Sequence, residues 1–493
     1  MELDTVVRIL PGCAVNQTPA GSICGLAYNS KTVKKGELFA CLRGTNTDGH
    51  AYAPEAVQHG AAALLVEEFL PLPVLQIKVA DARNAFSQVA RHFYGEPAEA
   101  LGLVGITGTN GKTTTTFYVR SVLAELGHPV GLIGTVFNQF AGEPEPSHMT
   151  TPESADLYAL LGRGVREGCD WVVMEVSSHA LAMNRVDPAD LDLAIVTNIT
   201  RDHFDYHQTY EHYWESKARL VRGLRTGNKS GRPKAAILNA DDPQVMRLAD
   251  DSKASTITFG LEQPADVTAT DVVAAATGSW FTLHLPGSTP TAIHLALPGR
   301  FNVSNALAAA AAGWLAGVPL AGIKRGLESL HHVPGRAELI DEGQAFQVIV
   351  DFAHNPDALA KVVTLRPENP QGRSILVFGA EGGKDVGKRP QMGAAARGAD
   401  YVVITSDNMK KEEPADVARQ IEAGLGDWPH TVLLDRREAI RHALTQAHPG
   451  DLVIIAGKGH EQTWYYGGQQ IPFDDRTVAR EILQELRAGA ERQ

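Results

Sequence analysis

The segment Gly105-Ile-Thr-Gly-Thr-Asn-Gly-Lys-Thr-Thr114 lies between a run of apolar residues and a stretch with helical periodicity. In that stretch Val119, Val122, Leu123 and Leu126 keep the spacing of one buried helical face. Glycines let backbone N–H groups turn toward a phosphate, a lysine adds a point charge, and a hydroxyl can reach Mg²⁺. The segment is therefore predicted to be a strand, loop and helix that bind the phosphates of ATP or GTP.

Apolar runs alternate with helical segments in two series, and such alternation is typical of parallel sheets covered on both faces. The first series comprises residues 101–107, 171–176, 193–198 and 235–239, and the second comprises residues 347–353, 374–379, 401–407 and 452–457. Polar clusters follow many of these runs, and ligands of open parallel sheets bind at the carboxyl ends of the strands. The sequence therefore predicts one ligand site at these strand ends.

The predicted fold class is α/β in three domains, because 493 residues exceed what one hydrophobic core usually organises. We predict a small N-terminal α/β domain at residues 1–98. A central parallel-sheet domain with the phosphate loop follows at residues 99–331, and a C-terminal Rossmann-like domain at residues 332–493. Residues 306–316 are rich in alanine and are predicted to be helical.

Composition and charge exclude several classes of protein. A net charge of −12 argues against binding to a nucleic-acid backbone, although a local pocket can still be basic. No apolar stretch approaches the roughly 20 residues that span a bilayer, and the first ten residues do not resemble a signal peptide. The four cysteines lack metal-binding spacing, which is typical of reduced thiols. We therefore expect a cytoplasmic protein without membrane insertion, while its oligomeric state is not predicted.

Seven motifs in order along the chain together resemble the Mur ligase family, which also includes folylpolyglutamate synthetase and cyanophycin synthetase. They are the phosphate loop at Thr107–Thr114, Glu175-Val-Ser-Ser-His179, Thr197-Asn-Ile-Thr-Arg-Asp-His203, Asn239-Ala-Asp-Asp242, Gly299-Arg-Phe-Asn-Val-Ser-Asn305, Pro334-Gly-Arg336 and Asp351-Phe-Ala-His-Asn-Pro356. Members of this family make an acyl phosphate from ATP and a carboxylate, and an amine then displaces the phosphate. The resemblance therefore implies an ATP-dependent, ADP-forming acid–amino-acid ligase.

The resemblance implies ATP and Mg²⁺ as cofactors. The residues expected to contact ATP are Gly108, Thr109, Asn110, Gly111, Lys112, Thr113, Thr114, Asn302, Asn305, Arg336 and Asp351. The expected catalytic residues are Lys112, Glu175, His203 and Lys217, and the expected metal ligands are Thr113, Glu175, His203 and Lys217 as a carbamyl-lysine. Without the resemblance, Lys217 would be interpreted as an ordinary surface lysine on a helix, and Glu175 as a structural ion-pair partner.

The first 50 residues resemble the UDP-binding domain of the family members that add the third residue and the final dipeptide to a UDP-muramoyl peptide. Two positions depart from the usual Asp-Ser-Arg signature there, which reads Asn29-Ser30-Lys31. Met183 likewise stands where a glutamine is common. The residues expected to contact the UDP-muramoyl dipeptide are Tyr28, Ser30, Thr45, Asn46, Thr47, Thr150, Thr151, Ser177, Met183 and Arg185.

The incoming amino acid is expected to meet Lys384, Asp407, Asn408, Met409, Lys410, Gly457 and Glu461. Ligases for meso-diaminopimelate carry arginines where this chain has Lys384 and Lys410, and a lysine lacks the two-pronged carboxylate grip of arginine. Two cations would still repel the terminal ammonium of L-lysine, so meso-diaminopimelate is expected, with Glu461 facing its distal amino group. The predicted function is its addition to UDP-N-acetylmuramoyl-L-Ala-D-Glu in peptidoglycan synthesis.

Three alternatives remain open at this point. The third amino acid could be L-lysine or another residue, because the two expected arginines are absent. A P-loop switch is a second alternative, although the guanine-reading Asn-Lys-x-Asp sequence is absent. A binding paralogue without ligase activity is the third.

Overall fold

The computed structural model describes residues 1–44, 47–187, 189–227, 229, 231–410, 412–466 and 468–490. In this part of the chain, successive segments build three α/β sheets, each with its own hydrophobic core, and a separate two-stranded hairpin. No helix within these ranges combines the length and the apolar character needed to cross a membrane. Short 3₁₀ turns lie at Ser30–Thr32, Gly49–Tyr52, Pro97–Glu99, Ala249–Asp251 and Val386–Lys388.

The N-terminal sheet is small and mostly parallel. Its strands are β1 (Ala14–Val15), β2 (Gly25–Ala27), β3 (Glu37–Ala40), β4 (Ala63–Val66) and β5 (Leu75–Lys78), and its helices are α1 (Leu3–Arg8), α2 (Ala53–Gln58) and α3 (Ala82–Phe93). The strand order is β1-β5-β4-β3-β2, and β1 is antiparallel to β5. Every residue of β4 is buried, as expected of a central strand covered by helices on both faces.

The central sheet contains a parallel core with antiparallel strands added at both edges. Its strands are β6 (Gly102–Thr107), β7 (Val130–Ile133), β8 (Phe137–Gln139), β9 (Glu145–Pro146), β10 (Trp171–Glu175), β11 (Leu193–Val196), β12 (Ala235–Asn239), β13 (Ser255–Gly260), β14 (Val267–Ala275), β15 (Gly278–His284) and β16 (Thr291–Leu295). The order is β16-β15-β14-β13-β12-β11-β6-β10-β7-β8-β9 among the described residues. Strand β6, which precedes the phosphate loop, therefore lies in the middle of the sheet.

Helices cover both faces of the central sheet. They are α4 (Lys112–Ala124), α5 (Ser154–Arg166), α6 (Ser178–Ala182), α7 (Phe204–His207), α8 (Tyr210–Arg222), α9 (Pro243–Met246), α10 (Arg300–Leu315) and α11 (Leu320–Glu328). The alanine-rich α10 packs against α4, and its small side chains let the two helices approach closely. A helix that is apolar all round is expected to be buried, and residues 305–313 of α10 are.

The C-terminal sheet is parallel except at one edge. Its strands are β17 (Glu338–Leu339), β18 (Gln347–Asp351), β19 (Ser374–Phe378), β20 (Tyr401–Ile404), β21 (His430–Val432) and β22 (Leu452–Ala456), and β23 (Thr463–Tyr466) pairs with β24 (Gln469–Pro472) as a separate hairpin. The helices are α12 (Pro356–Val362), α13 (Arg389–Ala396), α14 (Pro414–Leu425), α15 (Arg436–Gln446) and α16 (Asp475–Ala490). The strand order is β17-β18-β22-β19-β20-β21, with one core on each face.

The predicted α/β class with three domains is confirmed. Each apolar run of the two series forms a parallel strand, ending at or up to three residues before the predicted limit. The antiparallel strands β8, β9 and β14–β16 were not predicted, because they have solvent-exposed residues and lack a continuous apolar run. The domain limits at 98 and 331 stay a proposal.

A buried ion pair supports the carboxyl ends of the C-terminal strands. Arg436 donates to both carboxylate oxygens of Asp475 at 2.8 and 2.7 Å, and both side chains are fully buried. The same guanidinium donates to the carbonyls of Ser406 (3.3 Å) and Ala456 (3.0 Å), just beyond β20 and at the end of β22. It therefore fixes the two strand ends relative to each other.

Replacing Asp475 by asparagine is expected to destabilise the protein by about 3 kcal/mol, because it leaves a buried guanidinium without its counter-charge. Urea unfolding followed by circular dichroism measures this as a lower midpoint. The control is Glu481→Gln, which breaks an exposed pair with Arg437 and is expected to cost about 1 kcal/mol or less. An unchanged midpoint for Asp475→Asn would contradict the role of the pair.

Candidate active site

The phosphate loop joins the end of β6 to the start of α4 as the sequence predicts. Gly108 and Gly111 have φ values of 153° and 86°, in the region that favours glycine. A Cβ at Gly108 would lie 1.9 Å from Thr197 Oγ1, and one at Gly111 would lie 2.5 Å from Asn305 Oδ1. Glycine is therefore required at both positions, by backbone conformation and by space.

A second loop, at residues 197–200, holds the phosphate loop in place. Asn198 Oδ1 accepts from the backbone N–H of Asn110 at 2.9 Å, and Thr197 Oγ1 donates to the Asn110 carbonyl at 2.6 Å. Thr109 Oγ1 donates to the Thr200 carbonyl at 3.0 Å. These contacts fix the shape of the phosphate loop before any ligand binds.

Glu175, the last residue of β10, lies at a network of hydroxyl groups. Its Oε2 accepts from Thr113 Oγ1 (2.8 Å) and from Thr135 Oγ1 (3.0 Å), and its Oε1 accepts from the Thr135 backbone N–H (2.8 Å). Its side chain is buried, and no lysine or arginine within the described ranges forms an ion pair with it. The interpretation of Glu175 as a structural ion-pair partner is therefore not supported. Its carboxylate lies beside the hydroxyl of Thr113, in the first turn of α4.

Lys217 is buried inside the central domain, so its interpretation as a surface lysine is wrong. Its side chain is 1% exposed, and Nζ donates to the Gly108 carbonyl at 2.7 Å. Nζ also lies 4.7 Å from the centre of the Tyr213 ring. Burial, together with the nearby charge of Lys112, holds the pKa of Lys217 well below its ordinary value, with Asp202 opposing the shift.

His203 is held at the start of α7 in a left-handed backbone conformation, with φ of 57°. Its Nε2 lies 3.8 Å from Asp202 Oδ2, and its ring stacks edge-on to His179 at 5.1 Å between ring centres. Burial lowers the pKa of His203 to about 3 despite the opposing charge of Asp202. The imidazole is therefore neutral near pH 7, the form that binds metal ions.

The C-terminal domain contributes a cation and a carboxylate to the same region. Arg336 Nη2 donates to Thr113 Oγ1 at 3.1 Å across the domain boundary, and its guanidinium lies 4.3 Å from the centre of the Phe352 ring. Its Nε is buried without a hydrogen-bond partner. Asp351 accepts from the backbone N–H groups of Ala337 (2.7 Å) and Ala353 (2.8 Å). Arg336 therefore reaches the phosphate loop from the opposite domain, and Asp351 lines the same cavity.

The two domains are also joined through the tip of the phosphate loop. Asn110 Nδ2 donates to Asp357 Oδ2 at 2.7 Å and to Asn355 Oδ1 at 3.3 Å. Asn355 Nδ2 donates in turn to Asn110 Oδ1 and to Asp202 Oδ2, each at 3.0 Å. One asparagine of the phosphate loop thus belongs both to the predicted nucleotide site and to the domain interface.

These groups line one cavity of about 940 Å³ between the central and C-terminal domains. The predicted residues on its wall are Thr109, Asn110, Gly111, Lys112, Thr113, Thr114, Thr150, Glu175, Ser177, His203, Lys217, Asn302, Asn305, Arg336, Asp351, Lys384, Asp407, Asn408, Gly457 and Glu461. Gly108, Thr151, Met183, Arg185, Met409 and Lys410 lie outside its wall. The cavity is therefore large enough for a nucleotide with a second ligand.

The predicted asparagines of α10 contact each other beside the phosphate loop. Asn305 Nδ2 donates to Asn302 Oδ1 at 3.1 Å, and Asn302 Nδ2 donates to the Pro298 carbonyl at 2.8 Å. Thr115 Oγ1 donates to Asn305 Oδ1 at 3.2 Å. Both asparagines are therefore held next to α4, and their role in reading adenine stays a prediction.

Four of the ten residues predicted to contact the UDP-muramoyl dipeptide meet next to Glu175. Thr151 Oγ1 donates to the Glu175 carbonyl at 2.9 Å and accepts from the Ser177 backbone N–H at 3.0 Å. Arg185 donates to the Thr151 carbonyl at 3.2 Å and to Met183 Sδ at 3.4 Å. The structure thus brings the central-domain members of this group together beside the predicted metal ligand.

The N-terminal members of that group lie apart from the cavity. Tyr28 donates its hydroxyl to Asp156 Oδ2 at 2.5 Å, which joins the N-terminal and central domains. Ser30 is buried and donates to Glu55 Oε2 at 2.5 Å, so its hydroxyl already has an acceptor. Thr47 lies in an exposed loop, and the predicted contacts at Thr45 and Asn46 lie outside the described residues.

The residues predicted to bind the amino acid surround a loop that follows β20. Asn408 Nδ2 donates to Glu461 Oε2 at 2.9 Å, and Lys458 Nζ donates to the same oxygen at 2.9 Å. A Cβ at Gly457 would lie 3.0 Å from Asp407 Oδ2. Met409 is buried in the apolar core, so its side chain is turned away from the cavity.

The site chemistry fits Mg²⁺, although the described residues contain no cluster of three or more His, Cys, Asp or Glu side chains arranged to hold a metal. Mg²⁺ is bound in phosphate-transferring sites by one or two carboxylates together with phosphates and waters. Thr113 and Glu175 supply oxygen donors beside the phosphate loop. The amine of Lys217 is not one of the oxygen ligands that Mg²⁺ prefers, but its carbamate would add a second carboxylate.

Some cavity residues were not predicted individually from the sequence. Asn198, Asp202, His354 and Asp357 stand within or next to the quoted motifs, and their position at strand ends was the signal that could have identified them. Thr135 and Glu381 also line the cavity. Glu381 follows β19 by three residues, so the rule that ligands bind beyond the carboxyl ends of strands applied to it too.

Comparisons with known proteins match three family models along the chain. Residues 106–313 match the Mur ligase middle domain, residues 335–459 match the Mur ligase glutamate ligase domain, and residues 22–94 match the Mur ligase family catalytic domain.

Several curated relatives match over their whole length. The UDP-N-acetylmuramoyl-L-alanyl-D-glutamate–2,6-diaminopimelate ligase of Geobacillus thermodenitrificans is 43% identical over 490 residues, covering 99% of this chain and 100% of the relative. The protein of the same name from Geobacter metallireducens is 41% identical, covering 99% of each chain.

Solved structures agree with these relatives. A structure of a ligase with the same name has a TM-score of 0.68 at 29% identity and covers 99% of both chains. A MurF ligase from Thermotoga maritima in complex with ADP has a TM-score of 0.63 at 20% identity, covering 94% of this chain and 96% of that one. At 20% identity, the Thermotoga maritima structure is evidence for the fold alone.

Proposed function

The chain belongs to the Mur ligase family, and on that premise we propose that it joins 2,6-diaminopimelate to UDP-N-acetylmuramoyl-L-alanyl-D-glutamate with ATP. As such it is an ATP-dependent acid–amino-acid ligase of peptidoglycan synthesis. The observation that carries the proposal is the single cavity in which the phosphate loop, Glu175 and the predicted amino-acid residues of the C-terminal domain share one wall.

The reaction takes place in two steps. A carboxylate oxygen of the D-glutamyl residue attacks the γ-phosphorus of ATP, the bond to the β,γ-bridging oxygen breaks, and an acyl phosphate and ADP result. The amine of the incoming amino acid then attacks the acyl carbon, phosphate leaves, and the amine releases a proton. The first step brings the carboxylate and the phosphates of ATP together, and the second expels a phosphate anion, so positioning and cationic clamping supply most of the catalysis.

Residues of both domains supply the positioning and the positive charge for these steps. Lys112 from the phosphate loop and Arg336 from the C-terminal domain supply positive charge to the same cavity, and Arg336 contacts Thr113 directly. Because Arg336 contacts the phosphate loop across the domain boundary, we propose that domain closure completes the phosphate site and excludes water. Asp407 and Glu461 line the far end of the same cavity and are placed to orient an incoming amine.

Mg²⁺ would be held by Thr113, Glu175, His203 and the carbamate of Lys217, where it would neutralise the charge that develops on the transferred phosphoryl group. The ATP requirement follows from the family, and the ADP in the Thermotoga maritima neighbour supports a nucleotide site of this kind. The Mg²⁺ ligands, the individual contact residues and the cytoplasmic location stay proposals.

Coupled measurement of ADP release tests the function. We expect release only when UDP-N-acetylmuramoyl-L-Ala-D-Glu and an amino acid are both present, with a higher kcat/KM for meso-diaminopimelate than for L-lysine. Removal of divalent metal by EDTA is expected to abolish release, and added Mg²⁺ to restore it. ADP release that does not depend on an acceptor would support the P-loop switch instead, and preference for L-lysine would overturn the assignment of the amino acid.

A further inference from the structure

Arg83, the second residue of α3, joins the N-terminal domain to the central domain. Its Nε and Nη2 both donate to the Arg43 carbonyl at 3.1 Å. Its Nη1 donates to both carboxylate oxygens of Glu153, at 3.1 and 3.2 Å. All three nitrogens of this guanidinium are therefore engaged, on one side with a loop of its own domain and on the other with the central domain.

The Arg43 carbonyl belongs to one end of the loop between Arg43 and Asp48, here called the UDP loop because the domain resembles a UDP-binding domain. The two end residues pair as an antiparallel β-bridge, and the predicted substrate contacts at residues 45–47 lie between them in the sequence. The side chain of Arg43 is occupied separately, with its Nε 3.1 Å from Glu67 Oε2. Arg83 thus fixes the backbone at the start of the UDP loop.

Glu153 is shared between Arg83 and a second arginine, Arg185. Glu153 directly precedes α5, and its side chain makes no hydrogen bond to the start of that helix. Arg185 Nε lies 2.8 Å from Glu153 Oε1, one of the two oxygens that accept from Arg83. One carboxylate of the central domain therefore pairs with an arginine of each domain.

Further polar contacts lead from Arg185 to the cavity. Arg185 donates to the Thr151 carbonyl at 3.2 Å, and Thr151 Oγ1 contacts the backbone of both Glu175 and Ser177. Glu175 and Ser177 line the cavity, whereas Arg83 and Arg185 lie outside its wall. A continuous set of contacts thus connects the UDP loop with the residues predicted to meet the dipeptide.

We propose that Arg83 is a positioning residue that couples the UDP loop to the muramoyl-dipeptide site, by fixing the Arg43 carbonyl and by orienting Arg185 through Glu153. This proposal rests on the proposed function. The substrate carries its uridine and its dipeptide on one molecule, so two sites held in a fixed relation bind it with less loss of conformational freedom. A planar guanidinium with donors in fixed directions suits a residue that must engage two partners at once.

Arg83→Met removes both contacts. We expect the KM for UDP-N-acetylmuramoyl-L-Ala-D-Glu to rise about tenfold, as for the loss of hydrogen bonds to a charged partner, while kcat and the KM for ATP stay within about twofold. Arg83→Lys keeps the charge and three donors, and is expected to restore the KM to within about threefold of the wild-type value. Steady-state ADP release measures these constants.

Inhibition by UDP separates the two contacts of Arg83, because UDP lacks the dipeptide. For Arg83→Met we expect the inhibition constant of UDP to rise about threefold, and for Arg185→Met we expect it to stay unchanged. The rest of the effect on KM is expected to disappear when Arg83→Met is made in the Arg185→Met background, where it should add only about threefold.

Arg91→Met is the matched control. Arg91 is on the same helix, has the same exposed fraction of 18% as Arg83, and pairs with Glu96 at 3.0 Å and Glu99 at 3.3 Å. This variant is expected to change neither the KM for the UDP substrate nor inhibition by UDP. Melting temperatures of all variants establish that each one folds.

Three results would overturn the proposal. Arg83→Met could raise the KM for ATP as much as that for the UDP substrate, it could leave inhibition by UDP unchanged, or its effect could be fully additive with that of Arg185→Met. Wild-type enzyme that releases no ADP with the UDP substrate and any amino acid would instead contradict the proposed function. The two failures are distinguishable, because the variants are compared only with an active wild-type enzyme.

Discussion

Glu175→Gln is expected to lower kcat for ADP release by about a hundredfold to a thousandfold, the range typical of losing one group that stabilises charge in the transition state. Glutamine keeps the size of the side chain and can still accept from the hydroxyls of Thr113 and Thr135, whose contacts with Glu175 measure 2.8 and 3.0 Å. What it loses is the negative charge that the proposed Mg²⁺ site requires. Steady-state kinetics at several Mg²⁺ concentrations measure both kcat and the apparent affinity for the metal.

The control for this variant is Glu167→Gln, whose carboxylate is paired with Arg163 beyond the end of α5, away from the cavity. It is expected to retain full activity. Nucleotide binding by Glu175→Gln, followed by fluorescence of a labelled ATP analogue, is expected to persist, because the phosphate loop is unchanged. If Glu175→Gln kept the wild-type kcat, Glu175 would have no part in the chemical step.

Lys217→Met is expected to lower kcat more than about a hundredfold, because several kcal/mol of charge stabilisation depend on a second metal-binding carboxylate. Burial keeps the pKa of Lys217 well below its ordinary value, which increases the fraction of neutral amine that can add CO₂. The nitrogen forms a bond to carbon, one C=O bond opens to a carboxylate, and the nitrogen releases a proton.

Carbon-13 NMR after incubation with labelled bicarbonate tests the modification directly. We expect a carbamate signal in the wild-type protein and none in Lys217→Met. Lys324→Met provides the control, since Lys324 is on the surface of α11 and is expected to change neither signal nor activity. A wild-type protein without the signal but with full activity would show that Lys217 works as an amine.

The parallel strands and the phosphate loop were predictable because each is encoded locally. The run at residues 101–107 and the spacing of Val119, Val122 and Leu123 each specify one element, and the structure has β6 and α4 there. The buried position of Lys217 was not predictable from its helix alone. Polar and apolar residues alternate around it in the sequence, and its amine contacts the phosphate loop, more than 100 residues away.

The contacts between domains escaped prediction for the same reason. Asn110 and Asp357 are separated by 247 residues, and neither sequence neighbourhood indicates its partner. The ion pairs of Glu381 with Lys384 and Lys410 likewise depend on two loops from different strand ends that lie against each other. Periodicity carries no information on such pairings, whereas resemblance to a family identifies positions that act together without giving their distances.

Asn110 belongs both to the phosphate loop and to the interface between the domains, so nucleotide binding and domain closure are thermodynamically coupled. Any factor by which ATP shifts the protein toward the closed arrangement is also the factor by which closure tightens ATP. A substitution at Asp357 or Asn355, both in the C-terminal domain, is then expected to change the apparent Kd of ATP although every residue of the phosphate loop is kept. The second substrate, by favouring the same arrangement, would raise the affinity for the first.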